Sequence, residues 1–239
     1  MERFFVGRVP DGEPILLTGE DFFHAVRVLR MRAGDKMELC DGACGVCTAT
    51  VEAVEKDALV IRAGQWMPAD SEAAHRVTLF QCLPKGDKLE LIVQKCVELG
   101  VYAIAPVLSE RCVALPGDKF ASRLTRLQRV AVEAAKQSKR GILPAVLPLC
   151  RIADLDFSAF DTVLLAYEDE REQSLKAALR RGVGKNIAIV IGSEGGFSPR
   201  EAALLKEKGA AAISLGRRIL RTETAGMVML AQLLYEVGQ

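Results

Sequence analysis

The chain has 239 residues, half of them apolar, with 32 basic and 31 acidic residues and a net charge of +1. That length accommodates one large domain or two small ones with a sizeable core, and the balanced charge excludes a partner held by bulk electrostatics, so any nucleic-acid surface has to come from local clustering. No apolar run approaches the roughly 20 residues that span a bilayer, and the start MERFFVGRVPDGEP carries charges and a proline too early for an export signal, so no membrane partner and a cytoplasmic location are expected.

Residues 1–70 read as short strands. Turn signals recur at Asp11–Glu13, Ala33–Asp35 and Asp41–Gly42, and apolar residues alternate in MELCDG and TATVEAVEKDALVIRA, with helical periodicity only around Phe22–Met31. That pattern predicts a small β-barrel. A basic cluster, HAVRVLRMRAGDK, places His24, Arg27, Arg30 and Arg32 in this region. Cys44-Gly-Val-Cys47 has metal-ligand spacing and Cys40 lies near, but no second pair or nearby histidine completes a tetrahedral set. No metal is expected, and the three cysteines read as small buried strand residues. Seven scattered cysteines make a poor disulfide framework. Gly64–Ala74, mixed in polarity with one proline, reads as a linker.

Residues 71–239 change rhythm. Val77–Leu83 is a buried strand. Asp87 with Glu90 three residues on predicts a capping box, and Leu89, Ile92, Val93, Cys96 and Val97 give the next helix its buried face before Gly100 ends it. A strand at Tyr102–Val107 and a long helix at about Lys119–Lys139 follow, then three strands, TVLLAYE, NIAIVIG and AAAISLG, separated by helices. Alternating strands and helices predict a mostly parallel sheet with helices on both faces.

Three segments carry chemistry. NIAIVIG runs straight into Gly192-Ser-Glu-Gly-Gly196, after which Ser198, Pro199 and Glu201 form a helix start with a capping box. A glycine loop between a strand's C-terminal end and a helix is where open α/β sheets bind ligands, although this one is neither a dinucleotide nor a P-loop fingerprint and a tight turn needs the same glycines. In LGRRILRTETAG, Arg217, Arg218 and Arg221 crowd a helix N-terminus. Cations oppose the helix dipole there, so the arginines point to an anionic partner such as RNA phosphate, unless Glu223 or another acid pairs with them. In FASRLTRLQRVAVEAAKQSKRG, Arg123, Arg126, Arg129, Lys136 and Arg140 share one side of the helix opposite Leu124, Leu127, Ala131 and Ala134, a solvated face or a phosphate track.

The blocks RFFV at Arg3, HAVRVLRMRAGD at His24, LPKGDKLELIVQKCVELGV at Leu83, SER at Ser109, EAAKQSKR at Glu133, IGSEGGFS at Ile191 and LGRRILRTETA at Leu215 stand in one order over almost the whole chain. In this the chain resembles the RsmE family, the 16S ribosomal RNA uridine-N3 methyltransferases of the SPOUT superfamily. Two departures are visible: Lys139 where the family pattern has glycine, and Ser193 where it has proline. The resemblance implies a PUA-like RNA-binding barrel, a C-terminal domain with a trefoil knot, a homodimer, and S-adenosyl-L-methionine as cofactor. Carried over by position, it implies a cofactor site at Ala166, Tyr167, Glu168, Ile191, Gly192, Glu194, Gly195, Gly196, Leu215, Gly216, Leu220 and Ala225. The RNA-binding set is Arg3, His24, Arg27, Arg30, Arg32, Arg123, Arg126, Arg129, Lys136, Arg140, Arg217 and Arg218, with the small ribosomal subunit as partner. The expected chemistry removes the proton from uracil N3 and stabilises the resulting charge on O2 and O4, Arg221 supplying the donor, Arg140 helping to hold the flipped nucleotide, and Glu194 or Glu223 standing as general-base candidates. Methylation of a ribose oxygen or a guanine, or a non-catalytic ribosome-binding module, are the alternatives.

Overall fold

The computed structural model describes residues 1–113, 117 and 120–238, and the chain divides into two units: residues 1–72 with 135–143, and residues 73–134 with 144–239. The expected helix start at Lys119 lies outside the described residues.

The first unit is a curled sheet. Its strands are β1 (Arg3–Phe5), β2 (Pro14–Thr18), β3 (Lys36–Cys40), β4 (Gly45–Val54), β5 (Ala58–Ala63) and β6 (Met67–Pro68). They run in the order β1-β3-β4-β5-β2, with β6 also pairing β4; the β1–β3 pair is parallel and the rest antiparallel. Period-two alternation puts one face of each long strand inside, and Phe4, Leu17, Met37, Leu39, Val51, Leu59 and Ile61 form the core. Helix α1 (Gly19–Phe23) continues into a wider π-helical turn at His24–Val28, leaving Arg27, Arg30 and Arg32 exposed.

The stretch expected to be a linker is not free chain. Trp66 is buried, Met67–Pro68 joins the sheet, and Glu72 is an anchor. Glu72 Oε1 accepts from Arg140 Nε (2.8 Å), Gly141 N (2.7 Å) and Ile142 N (3.1 Å), while Oε2 accepts from Arg140 Nη2 (2.8 Å). Both side chains are almost wholly buried, at 3% and 8% exposure. From the other side, Arg3 Nη1 donates to the carbonyls of Lys139 and Arg140, and its Nε pairs with Glu38 at 3.0 Å. Lys139 sits at φ +59°, a conformation that glycine, the residue the resemblance leads one to expect there, adopts without cost. Its ammonium reaches Glu38 and the Met1 carbonyl instead.

The second unit is a parallel sheet flanked by helices. Its strands are β7 (Arg76–Cys82), β8 (Ala103–Leu108), β9 (Ala145–Val146), β10 (Cys150–Arg151), β11 (Thr162–Ala166), β12 (Asn186–Ile191) and β13 (Ala211–Ile213). The order is β10-β8-β7-β12-β11-β13, with β9 beside β8, and every pairing is parallel. The near-continuous burial of β7, β8 and β12 is what a sheet covered on both faces requires. The helices are α2 (Lys88–Glu98), α3 (Phe120–Gln137), α4 (Leu175–Leu179), α5 (Pro199–Glu207) and α6 (Thr222–Val237). None of the described helices is long and apolar enough to cross a membrane. One predicted cap fails: Asp87 makes no side-chain cap bond at α2, its backbone carbonyl takes the Glu90 amide instead, and the Glu90 carboxylate pairs with Arg126. The α5 cap forms as expected, with Ser198 and Glu201 bonding each other's backbone amides.

Candidate functional site

All strands of the second sheet point the same way, so the segments leaving β11, β12 and β13 emerge together at one edge. They enclose a cavity of about 950 Å³, at the upper end of the usual range for small-molecule sites. Ala166, Tyr167 and Glu168 end or follow β11; Ile191, Gly192, Glu194 and Gly196 end or follow β12; Leu215, Gly216 and Leu220 follow β13; Ala225 comes from the first turn of α6. These are eleven of the twelve positions carried over from the sequence. Gly195 is the exception: a β-carbon there would meet Arg111 Cβ at 3.0 Å, on the side of the 109–112 segment. Gly196, at φ +64°, closes the turn by donating to the Ser193 carbonyl (3.0 Å), and a β-carbon on it would come within 2.9 Å of Glu168 Oε1.

The glycine loop is braced from outside the cavity. Arg111 Nη1 donates to Gly195 O (2.9 Å), and Ser193 Oγ donates to Arg111 O (3.1 Å). The departure from proline at 193 therefore gives the loop a hydrogen bond that proline cannot make. Glu201, already used in the α5 cap, accepts the Glu110 amide at 2.7 Å.

Of the acid candidates, Glu194 lines the cavity and Glu223 does not. Glu194 accepts from Lys85 N (3.1 Å) and Lys88 Nζ (2.9 Å). Partial burial pushes its carboxyl up, but the bonds from Lys88 and from backbone amides outweigh that and hold it below the usual range. Glu223 Oε2 is buried without a hydrogen bond, and its charge partner is Lys88 Nζ at 3.3 Å. Lys88 was not singled out from sequence, and only its place at the start of a helix beside the KGD turn hinted at it.

Arg217, Arg218 and Arg221 stand exposed on the cavity wall, and none has an ion-pair partner among the described residues. The acid considered as their partner, Glu223, is committed to Lys88. Arg140 is a different case. Its guanidinium is buried against Glu72 in the first unit, so the expectation that it holds a flipped nucleotide meets a side chain already saturated by a carboxylate. The basic face of α3 is likewise partly used up. Arg126 pairs with Glu90, Lys136 with Asp21, and Arg123 donates to Gly86 O, leaving Arg129 exposed without an ion pair among the described residues. In the first unit His24 lies 3.9 Å from Glu2, and Arg3 is buried against Glu38 rather than presented to solvent.

The wall is mixed in character, with apolar patches, the carboxylates of Glu168, Glu170 and Glu194, and the cations of Lys88, Arg171, Arg217, Arg218 and Arg221 around one space. Ala166, Ile191, Leu215, Leu220 and Ala225 supply apolar surface, Glu168 and Glu194 supply negative charge, and Gly196 keeps clear the space that a β-carbon would fill. The profile of the RNA methyltransferase domain matches residues 71–234, and that of the RNA methyltransferase PUA domain matches residues 17–63. The chain is 34% identical over 99% of its length to ribosomal RNA small subunit methyltransferase E of Bacillus subtilis, covering 97% of that protein. The chain belongs to the ribosomal RNA small subunit methyltransferase E family. A Mycobacterium tuberculosis member of this methyltransferase E family is 32% identical over 95% of the chain and 88% of its own length. The crystal structure of the Neisseria gonorrhoeae methyltransferase E bound to S-adenosyl methionine superposes with a TM-score of 0.88, at 32% identity, over 98% of this chain and 97% of that one.

Proposed function

We propose that this chain transfers a methyl group from S-adenosylmethionine to N3 of a uridine in the 16S RNA of the small ribosomal subunit. The observation that carries the reading is the cavity formed by three strand-end segments, with acidic and apolar walls inside and unpaired arginines at Arg217, Arg218 and Arg221 beside them. Ala166, Glu168, Gly192, Gly196, Leu215 and Ala225 hold the cofactor. When bound, that cofactor supplies an electrophilic methyl on a sulfonium. The protein's share is alignment, which can account for much of the rate in such a displacement.

Arg217 and Arg218 take RNA phosphate, and Arg221 faces the base. Uracil N3 attacks only after losing its proton, and the charge then spreads to O2 and O4, where a guanidinium stabilises it. Glu194 is the carboxylate on the wall. Its lowered pKa keeps it ionised at neutral pH but makes it a weak proton acceptor. In the first unit, exposed Arg27, Arg30 and Arg32 steer the RNA backbone. The same reading includes the family's trefoil knot, a cytoplasmic location and a homodimer. The exposed side of α6, with Tyr235 at 85% exposure, supports the last of these.

The test is methylation of small subunits from a deletion strain by the purified protein, with the modified nucleoside identified by mass spectrometry. N3-methyluridine at one site is expected. A methyl on a ribose oxygen or a guanine, or no transfer at all, overturns the reading. Light scattering that returns a monomer mass at micromolar concentration removes the dimer.

A further inference from the structure

Two bridges join the glycine loop to the start of α6, one anchored near the end of β7 and the other at the first residue of α2. The first is neutral and buried. Gln81 near the end of β7 is fully buried, and its Nε2 donates to Thr222 Oγ1 at 2.9 Å and to Cys82 O at 3.0 Å. Thr222, itself buried, donates its hydroxyl proton to Gly192 O at 2.5 Å. The second is ionic. Lys88 Nζ lies 2.9 Å from Glu194 Oε1 and 3.3 Å from Glu223 Oε2, and the Lys85 amide adds a bond to Glu194. The bond to Glu194 pushes the Lys88 pKa up and the Glu223 carboxylate adds to it, so the cation persists.

The choice of glutamine at position 81 is informative. Its Oε1 has no hydrogen-bond partner among the described residues and faces Gly226, with Leu79 beside it. Burying an amide oxygen in that way costs stability, and an apolar side chain of similar size suits such a position better. What glutamine supplies and leucine lacks is the donor to Thr222. With a Thr222 lone pair engaged by Gln81, its proton is directed to the Gly192 carbonyl on the cavity wall. Glu223 repeats the pattern, as a buried carboxylate oxygen whose charge is met by Lys88. Both costs fall where the glycine loop meets the turn that carries Arg221.

We propose that Gln81 and Lys88 are positioning residues, a two-point clamp that holds the Gly192–Gly196 loop and the Arg221–Glu223 turn in one fixed relation. The clamp keeps the cofactor-binding loop shaped before any ligand arrives, and it fixes the base of Arg221, whose carbonyl accepts the Thr224 and Ala225 amides. Only the consequence for methyl transfer rests on the function proposed above.

The test uses the full chain with Gln81→Leu, Lys88→Met and Lys88→Arg, and Lys95→Met as a control on the outer surface of α2, where Lys95 pairs only with Glu98 among the described residues. In the ligand-free protein, hydrogen exchange at the Thr224 and Ala225 amides should quicken roughly tenfold in Gln81→Leu and in Lys88→Met, the scale of one charge-assisted or buried hydrogen bond. S-adenosylmethionine affinity measured by calorimetry should fall by about the same factor. Lys88→Arg should recover most of both, and Lys95→Met should change neither. Gln81→Leu should melt no lower than the parent, a result that a purely structural role does not give. Single-turnover methylation should fall in Lys88→Met, and that loss should shrink when Arg221→Ala is already present, because a positioning effect needs the group it positions. Unchanged exchange and unchanged cofactor affinity in both Gln81→Leu and Lys88→Met overturn the clamp, as do fully additive losses with Arg221→Ala. If Lys88→Met does not fold, Gln81→Leu and Lys88→Arg decide the question by the same readouts. A parent protein that methylates no RNA defeats the proposed function, while exchange in the free protein still tests the clamp.

Discussion

Replacing Glu72 with leucine removes one carboxylate that meets four donors at once: Arg140 Nε, Arg140 Nη2, and the amides of Gly141 and Ile142. The partner guanidinium is 3% exposed, so it cannot turn to water without opening the structure around it. Breaking one side of a buried pair typically costs about 3–5 kcal/mol, because the remaining charge stays buried. At roughly 2–4 °C per kcal/mol for a chain of this size, Glu72→Leu should lower the melting temperature by about 6–20 °C. Arg140→Met strands the Glu72 carboxylate instead, but that group keeps the Gly141 and Ile142 amides, so the loss should be smaller, and the double variant should recover part of it. Thermal melts followed by circular dichroism give the stabilities. Single-turnover methylation well below each midpoint separates stability from chemistry. A Glu72→Leu loss under about 1 kcal/mol, the value of an exposed pair, refutes the account. If Arg140→Met folds well and loses turnover by orders of magnitude while Glu72→Leu does not, Arg140 acts on substrate and the structural role is secondary.

Arg221→Ala should cut turnover about 10²–10³-fold, the usual loss for one donor to a developing anion, with S-adenosylmethionine affinity nearly unchanged by calorimetry; near-normal turnover with weaker RNA binding makes it a phosphate contact. Arg126→Ala should leave the salt dependence of RNA binding almost unaltered, because Glu90 already neutralises that charge, and a slope reduced by about one counterion contradicts this. Gly196→Val should abolish cofactor binding in a folded protein, since a side chain there meets Glu168 and requires a φ of +64°. Gly195→Val presses on Arg111 instead and should weaken binding less; equal losses in the two variants contradict the cavity geometry. Glu38 is held below the ordinary carboxylate value chiefly by its bond to Arg3, against opposing burial, so its contribution to stability is complete above the unfolded value near 4.5 and is lost as pH falls through the lowered folded value. Glu38→Gln should flatten that part of the acid melting curve, and an unchanged curve removes the Arg3–Glu38 pair from the stability of the first unit.

Much of this protein is legible one residue at a time. The alternation in MELC and ALVIRA, the apolar runs of β7 and β12, and the Ser198–Glu201 cap follow from periods of two or 3.6 residues and from local hydrogen bonding, which act over a few positions. The glycine loop and the place of Arg221 before a helix start are visible for the same reason, since a strand end, a turn and a helix start lie next to one another in sequence. Charge pairing is not local in that way. Whether an arginine is free or bound depends on which carboxylate the fold brings to it, and the distances along the chain are large: 68 residues from Arg140 to Glu72, 36 from Arg126 to Glu90, 106 from Lys88 to Glu194. A stripe of arginines on α3 therefore read as one surface and folded into several separate commitments. Gln81 stays hidden because nothing in its neighbourhood marks it, and Lys88 carries only the hint of the KGD turn before it. Parallel pairing of β7, β12 and β11 gathers distant strand ends at one edge, and only that convergence sets a buried amide and an ammonium between the cofactor loop and the helix that carries Arg221.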